Sequence, residues 1–246
     1  MREVYDMHCH THEFSEGEIR DILARLGSAK IASVSEDLES FYRTIELSEL
    51  FPESIIPCAG FHPWSIKDRS LSEAEELARL AVRYGVPCIG EVGLDKKFVP
   101  AWTWDAQVKV FRLFLEAARE IDAYVTVHSP GAWREAVEML VDSGVERAML
   151  HWYTGPLNLI PDIVGAGYYI SINPAIRIQE KHKRVAEAAP LDHIVFESDG
   201  PYNYRGLRLS PTMIPDAIRE VAVIKGVDEE VVWSWATRNG ARLLRA

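Results

Sequence analysis

The segment Asp6-Met7-His8-Cys9-His10-Thr11-His12-Glu13-Phe14 places three histidines at every second position. Side chains alternate along a strand, so His8 and His10 share a face with Val4 and Asp6, and Cys9 points the other way. Two imidazoles from one strand can reach one point, an arrangement that suits zinc, manganese or iron. Val4 is then expected to pack the floor beneath them, with Asp6 orienting one of the imidazoles. His12 lies past the strand end, where alternation need not persist, and is read as a bystander close to the site.

Further candidates stand at the ends of other apolar runs: Glu91 in Gly90-Glu91-Val92-Gly93-Leu94-Asp95, His128 in Thr126-Val127-His128-Ser129, His151 in Leu150-His151-Trp152, and Asp199 in Glu197-Ser198-Asp199-Gly200. His62, in Gly60-Phe61-His62-Pro63-Trp64, belongs to the loop after the third run. A single buried imidazole is usually a hydrogen-bonded core group, and a single carboxylate often caps a helix. Six such groups at five strand ends, brought to one place, need a cation to neutralise them. The carboxylates of Glu91 and Asp199 also admit magnesium. Six ligands exceed one tetrahedral site, whereas two ions roughly 3.5–4 Å apart with a shared carboxylate would use them all.

Apolar or β-branched runs recur at 4–10, 30–35, 55–60, 87–94, 123–128, 147–152, 167–172 and 193–197. Helix-like segments lie between them. Ser15 with Glu18 has the capping-box spacing; Leu77, Leu80, Ala81 and Tyr84 form one stripe, and Val108, Phe111, Leu115 and Ala118 another. Segments 214–224 and 229–244 form a closing helical pair. Eight strands alternating with helices in 246 residues predict an α/β fold, a (β/α)8 TIM barrel, with the polar residues gathered at the C-terminal end of the strands. An open doubly wound sheet fits the alternation but would not bring those ends to one mouth. No linker or compositional break divides residues 1–246, so one domain is expected.

No run of 18 apolar residues and no signal-like N-terminus is present, which excludes a membrane span and points to the cytoplasm. Cys9, Cys58 and Cys88 cannot all pair and are read as buried thiols. The net charge of −10, from 37 acidic and 27 basic side chains, argues against a surface that coats duplex DNA. It is compatible with a single strand, or an end, entering a pocket whose positive charge comes from bound ions.

The motifs together resemble the TatD family of metal-dependent hydrolases and deoxyribonucleases, within the amidohydrolase superfamily. The resemblance runs from residue 4 to about residue 244. It rests on Asp6-x-His8-x-His10, Gly60-x-His62-Pro63, Glu91 to Asp95, His128, His151 with Thr154 and Gly155, Glu197 with Asp199 and Pro201, and the tail residues Thr237, Asn239 and Arg242. It implies one ion held by His8, His10, Glu91 and Asp199, and a second by Glu91, His128 and His151, with Glu91 bridging. It further implies cleavage of nucleic acid phosphodiesters by a metal-bound hydroxide. Two loops depart from the family pattern. Leu209-Ser210-Pro211-Thr212 replaces an Asn-Glu-Pro, and Lys96-Lys97 follows Asp95 where an aromatic is usual. Several sister enzymes that cut amides bridge their metals with a carboxylated lysine; Glu91 needs no modification for that role.

In that chemistry Asp199 is the candidate general base, and His62 a donor to a substrate oxygen. Arg205 and Arg208, flanked by Tyr202 and Tyr204, are the phosphate and base-stacking candidates. Arg177, Lys181, Lys183 and Arg184 are further phosphate candidates whose simpler reading is a solvated helix face, and His182 and His193 are read as structural. Trp64 and Trp152 are candidates to wall the pocket. The expected cofactors are two divalent ions (magnesium, manganese or zinc), the partner a nucleic acid substrate, and the assembly a monomer or small homo-oligomer. Two other classes stay open: an ester or amide hydrolase such as a deacylase using the same metals, and a non-catalytic metal-binding scaffold.

Overall fold

The structure is a computed structural model that describes residues 2–67 and 70–245. Eight parallel strands pair in sequence order: β1 (Val4–Cys9), β2 (Ala29–Ser33), β3 (Ile55–Ala59), β4 (Cys88–Gly93), β5 (Tyr124–His128), β6 (Ala148–Leu150), β7 (Tyr169–Ile172) and β8 (Ile194–Phe196). The helices between and after them are α1 (Glu16–Leu26), α2 (Leu38–Leu50), α3 (Ser70–Tyr84), α4 (Trp104–Ile121), α5 (Trp133–Ser143), α6 (Ile160–Gly165), α7 (Glu180–Ala188), α8 (Ile214–Lys225) and α9 (Glu229–Leu244). This is the (β/α)8 barrel expected from the alternation. None of these helices is long and apolar enough to cross a membrane.

The predicted capping box is present: Ser15 Oγ accepts from the Glu18 N–H, and the Glu18 carboxylate accepts from the Ser15 N–H at 2.9 Å. Asp37 and Ser40 make the same reciprocal pair at the start of α2. Tyr84, expected on the buried stripe of α3, is 50% exposed and meets Phe41 edge-on.

The core has two layers. An inner layer of Tyr5, Met7, Ala32, Cys58, Cys88, Tyr124, Met149 and Val195 fills the barrel, and Leu243 of α9 packs with it. An outer layer puts Val4, Ile31, Ile89, Val92, Val125 and Val127 against the helices. Val4 therefore does not floor the metal-ligand candidates; Tyr5 and Met7 do. Strict alternation fails because β1 carries a bulge. Asp6 pairs with Ile31 but Cys9 with Ser33, so three steps on β1 match two on β2. β4 repeats the device, with Ile89 opposite Val125 and Val92 opposite Val127. A bulge inserts one residue and re-aims those after it. In both strands the irregular step falls at a ligand candidate, His8 in one and Glu91 in the other.

The seam between the first and last strands is closed by few contacts. Asp199 N–H donates to His8 O at 3.0 Å, and His10 N–H to Gly200 O at 2.9 Å. Asp6 Oδ1 accepts from the Ser198 N–H at 2.8 Å and the His8 N–H at 3.3 Å. Asp6 thus staples the seam and orients backbone, not an imidazole as expected. Beyond β8 the sequence expectation missed a two-stranded hairpin, β9 (Asn203–Tyr204) with β10 (Leu207–Arg208). Its turn residues Arg205 and Gly206 both have positive φ, 51° and 87°, as a two-residue hairpin of this hand requires.

The C-terminal helix closes the barrel floor. A Cβ added at Gly240 would stand 2.6 Å from the Tyr5 ring. Helix propensity alone makes Gly240→Ala a gain of about 1 kcal/mol, whereas overpacking costs about 1–3 kcal/mol. Net destabilisation is expected in urea unfolding; a more stable variant would show that this contact does not constrain the floor.

Candidate metal centre

Glu91 occupies the middle of a buried group of imidazoles and carboxylates at the C-terminal end of the barrel. Its Oε2 lies 3.2 Å from His8 Nε2 and 3.4 Å from His10 Nε2. The same two nitrogens are 3.6 Å and 3.3 Å from Asp199 Oδ1. Its other oxygen, Oε1, faces His128 Nδ1 at 2.9 Å, His62 Nε2 at 3.3 Å and His151 Nε2 at 3.8 Å. His8 stacks on His151 with centroids 3.8 Å apart, closing the group from the side. One carboxylate thus presents its two oxygens to two sets of donors. The structure brings together all six residues expected as ligands, with His62 beside them.

The outer nitrogens decide where the lone pairs point. His128 Nε2 donates to Asp95 Oδ2 at 2.9 Å, and His151 Nδ1 to Glu197 Oε2 at 2.9 Å. A carboxylate only accepts, so these nitrogens carry the protons. His8 Nδ1 is bonded to Thr126 Oγ1 at 2.8 Å. A neutral imidazole whose outer nitrogen donates to a carboxylate, as in His128 and His151, turns its remaining lone pair inward, at Glu91 and Asp199. Lone pair against carboxylate is tolerable only with a positive charge between them, a proton or a metal ion. The donor set of imidazole nitrogens and carboxylate oxygens therefore fits divalent cations. His62 differs. Its Nδ1 accepts from the Trp64 N–H at 3.1 Å, so its Nε2 carries the proton and donates toward Glu91.

The TatD related DNase family model matches residues 5–245. The chain belongs to that family. Human deoxyribonuclease TATDN3 is 27% identical over 258 residues, covering 97% of this chain and 93% of the relative. The Escherichia coli K12 uncharacterized metal-dependent hydrolase YcfH is 29% identical over 253 residues, covering 97% and 94%. Among solved structures, the Escherichia coli K12 TatD homolog YJJV superposes with a TM-score of 0.84 at 22% identity, covering 99% and 98%. The TatD chain described here is accordingly a metal-dependent hydrolase.

Other expected residues fall in several places. His12 sits in a short 3-10 turn, its Nδ1 donating to Val34 O at 3.2 Å, with its ring 5.6 Å from that of His10. His182 is buried away from the centre, accepting from the Asn173 N–H at 3.1 Å, and His193 is bonded to Tyr168 O. Cys9 points out of the barrel and reaches Gly200 O. Arg177 and Lys183 are ion-paired with Asp216 and Glu180 on the surface. Arg208 pairs with Glu18 at 2.8 Å and lies over the Phe14 ring, which pins the hairpin to α1. Arg205 stands 5.3 Å over the Tyr204 ring and makes no ion pair among the described residues. Thr126, Asp95 and Glu197 hold imidazoles without any sequence pattern that marks them for it. Asp95 and Glu197 lie within quoted motifs, but nothing local to either names its histidine.

Electrostatics follow from this packing. Burial alone lowers the His151 pKa, but Glu197, Glu91 and Asp199 raise it to about 10. Burial likewise opposes the charged form of His10, and Asp199 and Glu91 bring it up to about 9. Burial pushes Glu91 up, yet His62, His8 and His151 hold it well below the usual carboxylate range. At pH 7 His10 and His151 therefore keep protons that a metal bound through them would have to displace. Affinity should strengthen as pH rises toward 9–10, by about tenfold per pH unit for each proton displaced. Calorimetric titration with zinc at pH 7, in buffers of different ionisation enthalpy, should show proton release. A heat that does not depend on the buffer would contradict these shifts.

Proposed function

We propose that this TatD-family hydrolase is a phosphodiesterase that cuts DNA, taking a single strand or a strand end into the barrel mouth. The carrying observation is Glu91, whose two oxygens face two buried donor sets. On this reading His8, His10, Glu91 and Asp199 hold one divalent ion, and Glu91, His128 and His151 a second, as magnesium, manganese or zinc. Such ions supply the Lewis acidity that polarises a phosphoryl oxygen and makes water a nucleophile at neutral pH.

The protein's own groups do the rest. Burial raises the Asp199 pKa, but His151, His10 and His8 keep it lowered, so Asp199 is ionised and can take a proton as general base. Burial holds His62 neutral, with a pKa of about 4, so its Nε2–H serves as a hydrogen-bond donor to an anionic oxygen and not as a proton source. Trp152, directly after His151, stands 6.0 Å from Tyr202 and 5.1 Å from Tyr204, ring to ring. Gln179 locks this wall, accepting from Trp152 Nε1 at 2.8 Å and donating to the Tyr204 hydroxyl at 3.1 Å. Tyr202 is 47% exposed and offers a face on which an unpaired base can stack. Arg205 is free for a phosphate, whereas Arg208 would first have to leave Glu18.

Cleavage of a short single-stranded DNA with magnesium, manganese or zinc tests the reading. Glu91→Ala should lower it by more than the roughly 100-fold that loss of an outer-shell partner costs. Turnover of ester or amide reporters with the DNA untouched would replace the assignment with a deacylase. Arg205→Ala should weaken oligonucleotide cleavage by about 10–100-fold, the value of a charge-assisted hydrogen bond, and leave a small ester nearly unchanged. Equal losses on both would remove Arg205 from phosphate recognition.

A further inference from the structure

Three of the four imidazoles expected as ligands have their outer nitrogen fixed: His8 by Thr126, His128 by Asp95 and His151 by Glu197. His10 is the exception. It is 8% exposed, and its Nδ1 is buried with no hydrogen-bond partner. A carboxylate oxygen of Glu36 lies 3.7 Å away. That is beyond a hydrogen bond, and within reach of a rotation about the side-chain bonds of Glu36.

Glu36 is built to be found there. It lies between β2 and the first turn of α2, and its backbone is held at both ends. Its N–H donates to Ser40 Oγ at 2.9 Å, within the α2 capping box, and its carbonyl accepts from the His62 N–H at 3.0 Å. The root of the side chain is therefore fixed relative to both His10 and His62. The carboxylate has no lysine or arginine partner among the described residues, and 33% of the side chain is exposed, so it is free to turn toward His10.

We infer that Glu36 is a positioning residue for the metal centre: it accepts the His10 Nδ1–H and aims the Nε2 lone pair between Glu91 and Asp199. The inference rests on His10 serving as a ligand through Nε2, the reading given above. A carboxylate on the outer nitrogen fixes the tautomer and ring orientation and makes the inner nitrogen a stronger donor. It also gives the fourth imidazole what the other three already have. The preceding sequence, Ser33-Val34-Ser35-Glu36, carries no recognisable ligand spacing, because the partner of Glu36 lies far away in sequence, just past the end of β1.

The experiment uses the full chain and zinc alone. Zinc affinity is measured by competition with a chromophoric chelator for wild type, Glu36→Ala, Glu36→Gln and His10→Ala, with bound equivalents counted in each. Long-range ¹H–¹⁵N spectra of the zinc-loaded proteins report the His10 ring proton. Glu36→Ala should weaken zinc binding by about 10–100-fold and expose the His10 Nδ1–H to fast exchange. Glu36→Gln keeps an accepting oxygen and should restore most of both, which a loss of net charge would not. Equal weakening by Ala and Gln would reduce Glu36 to a charge effect and overturn the proposal. So would one zinc equivalent fewer in Glu36→Ala, since Glu36 would then be a ligand itself, together with the neighbouring His12 and Glu13. Wild-type affinity in both Glu36 variants, with binding collapsed in His10→Ala, would sink this inference alone. Unchanged binding in His10→Ala would sink the ligand reading beneath it.

Discussion

The centre depends on a charge constraint. Glu91 and Asp199 are buried carboxylates pressed against imidazole nitrogens at 2.9–3.8 Å. The outer hydrogen bonds of His128 and His151 leave lone pairs, not N–H groups, turned inward when those rings are neutral. An unbalanced buried carboxylate is costly, and removing one partner of such a group leaves the other uncompensated. Protons or metal ions must sit between them, so the cluster stores affinity for cations in its own repulsions. Asp95 and Glu197 maintain that condition, because without them His128 and His151 could turn a proton inward and satisfy the carboxylates alone.

The barrel meets this constraint by departing from regularity in two places. Parallel strands normally send alternate residues inside, and Tyr5, Met7, Cys88 and Tyr124 follow that rule. The irregular steps in β1 and β4 then let His8 and Glu91 point inward as well, immediately above the apolar filling. β5 and β6 need no such device, since His128 and His151 continue the inward series of Tyr124 and Met149. Gly90 is part of the arrangement: a Cβ there would lie 1.9 Å from Thr126 Cγ2, the residue that holds His8.

Residue type and order made the eight strands, the barrel and the convergence of the six candidate ligands legible, because each is a local pattern ending in a polar residue. What alternation could not show was the bulge, which is set by pairing with the neighbouring strand; hence the misplacement of Val4. Asp6 has a similar history. Its spacing from His8 suggested an imidazole partner, and its partners are instead the backbone of its own strand and of residue 198. The hairpin 203–208 was hidden because its strands are two residues long, below the length at which periodicity carries information. The outer partners Asp95, Glu197 and Thr126 were hidden for another reason: each is paired with a histidine 33 to 118 positions away.

The seam carries a consequence for how the molecule is made. His8 and His10 are synthesised well before Asp199 and the backbone that clasps them. Until that segment is synthesised, β1 has an unpaired edge and its imidazoles lack their carboxylate. The pairing of both imidazoles with Asp199 waits for it. A polypeptide cut before Asp199 therefore lacks both the clasp on His8 and His10 and one of the carboxylates that face them.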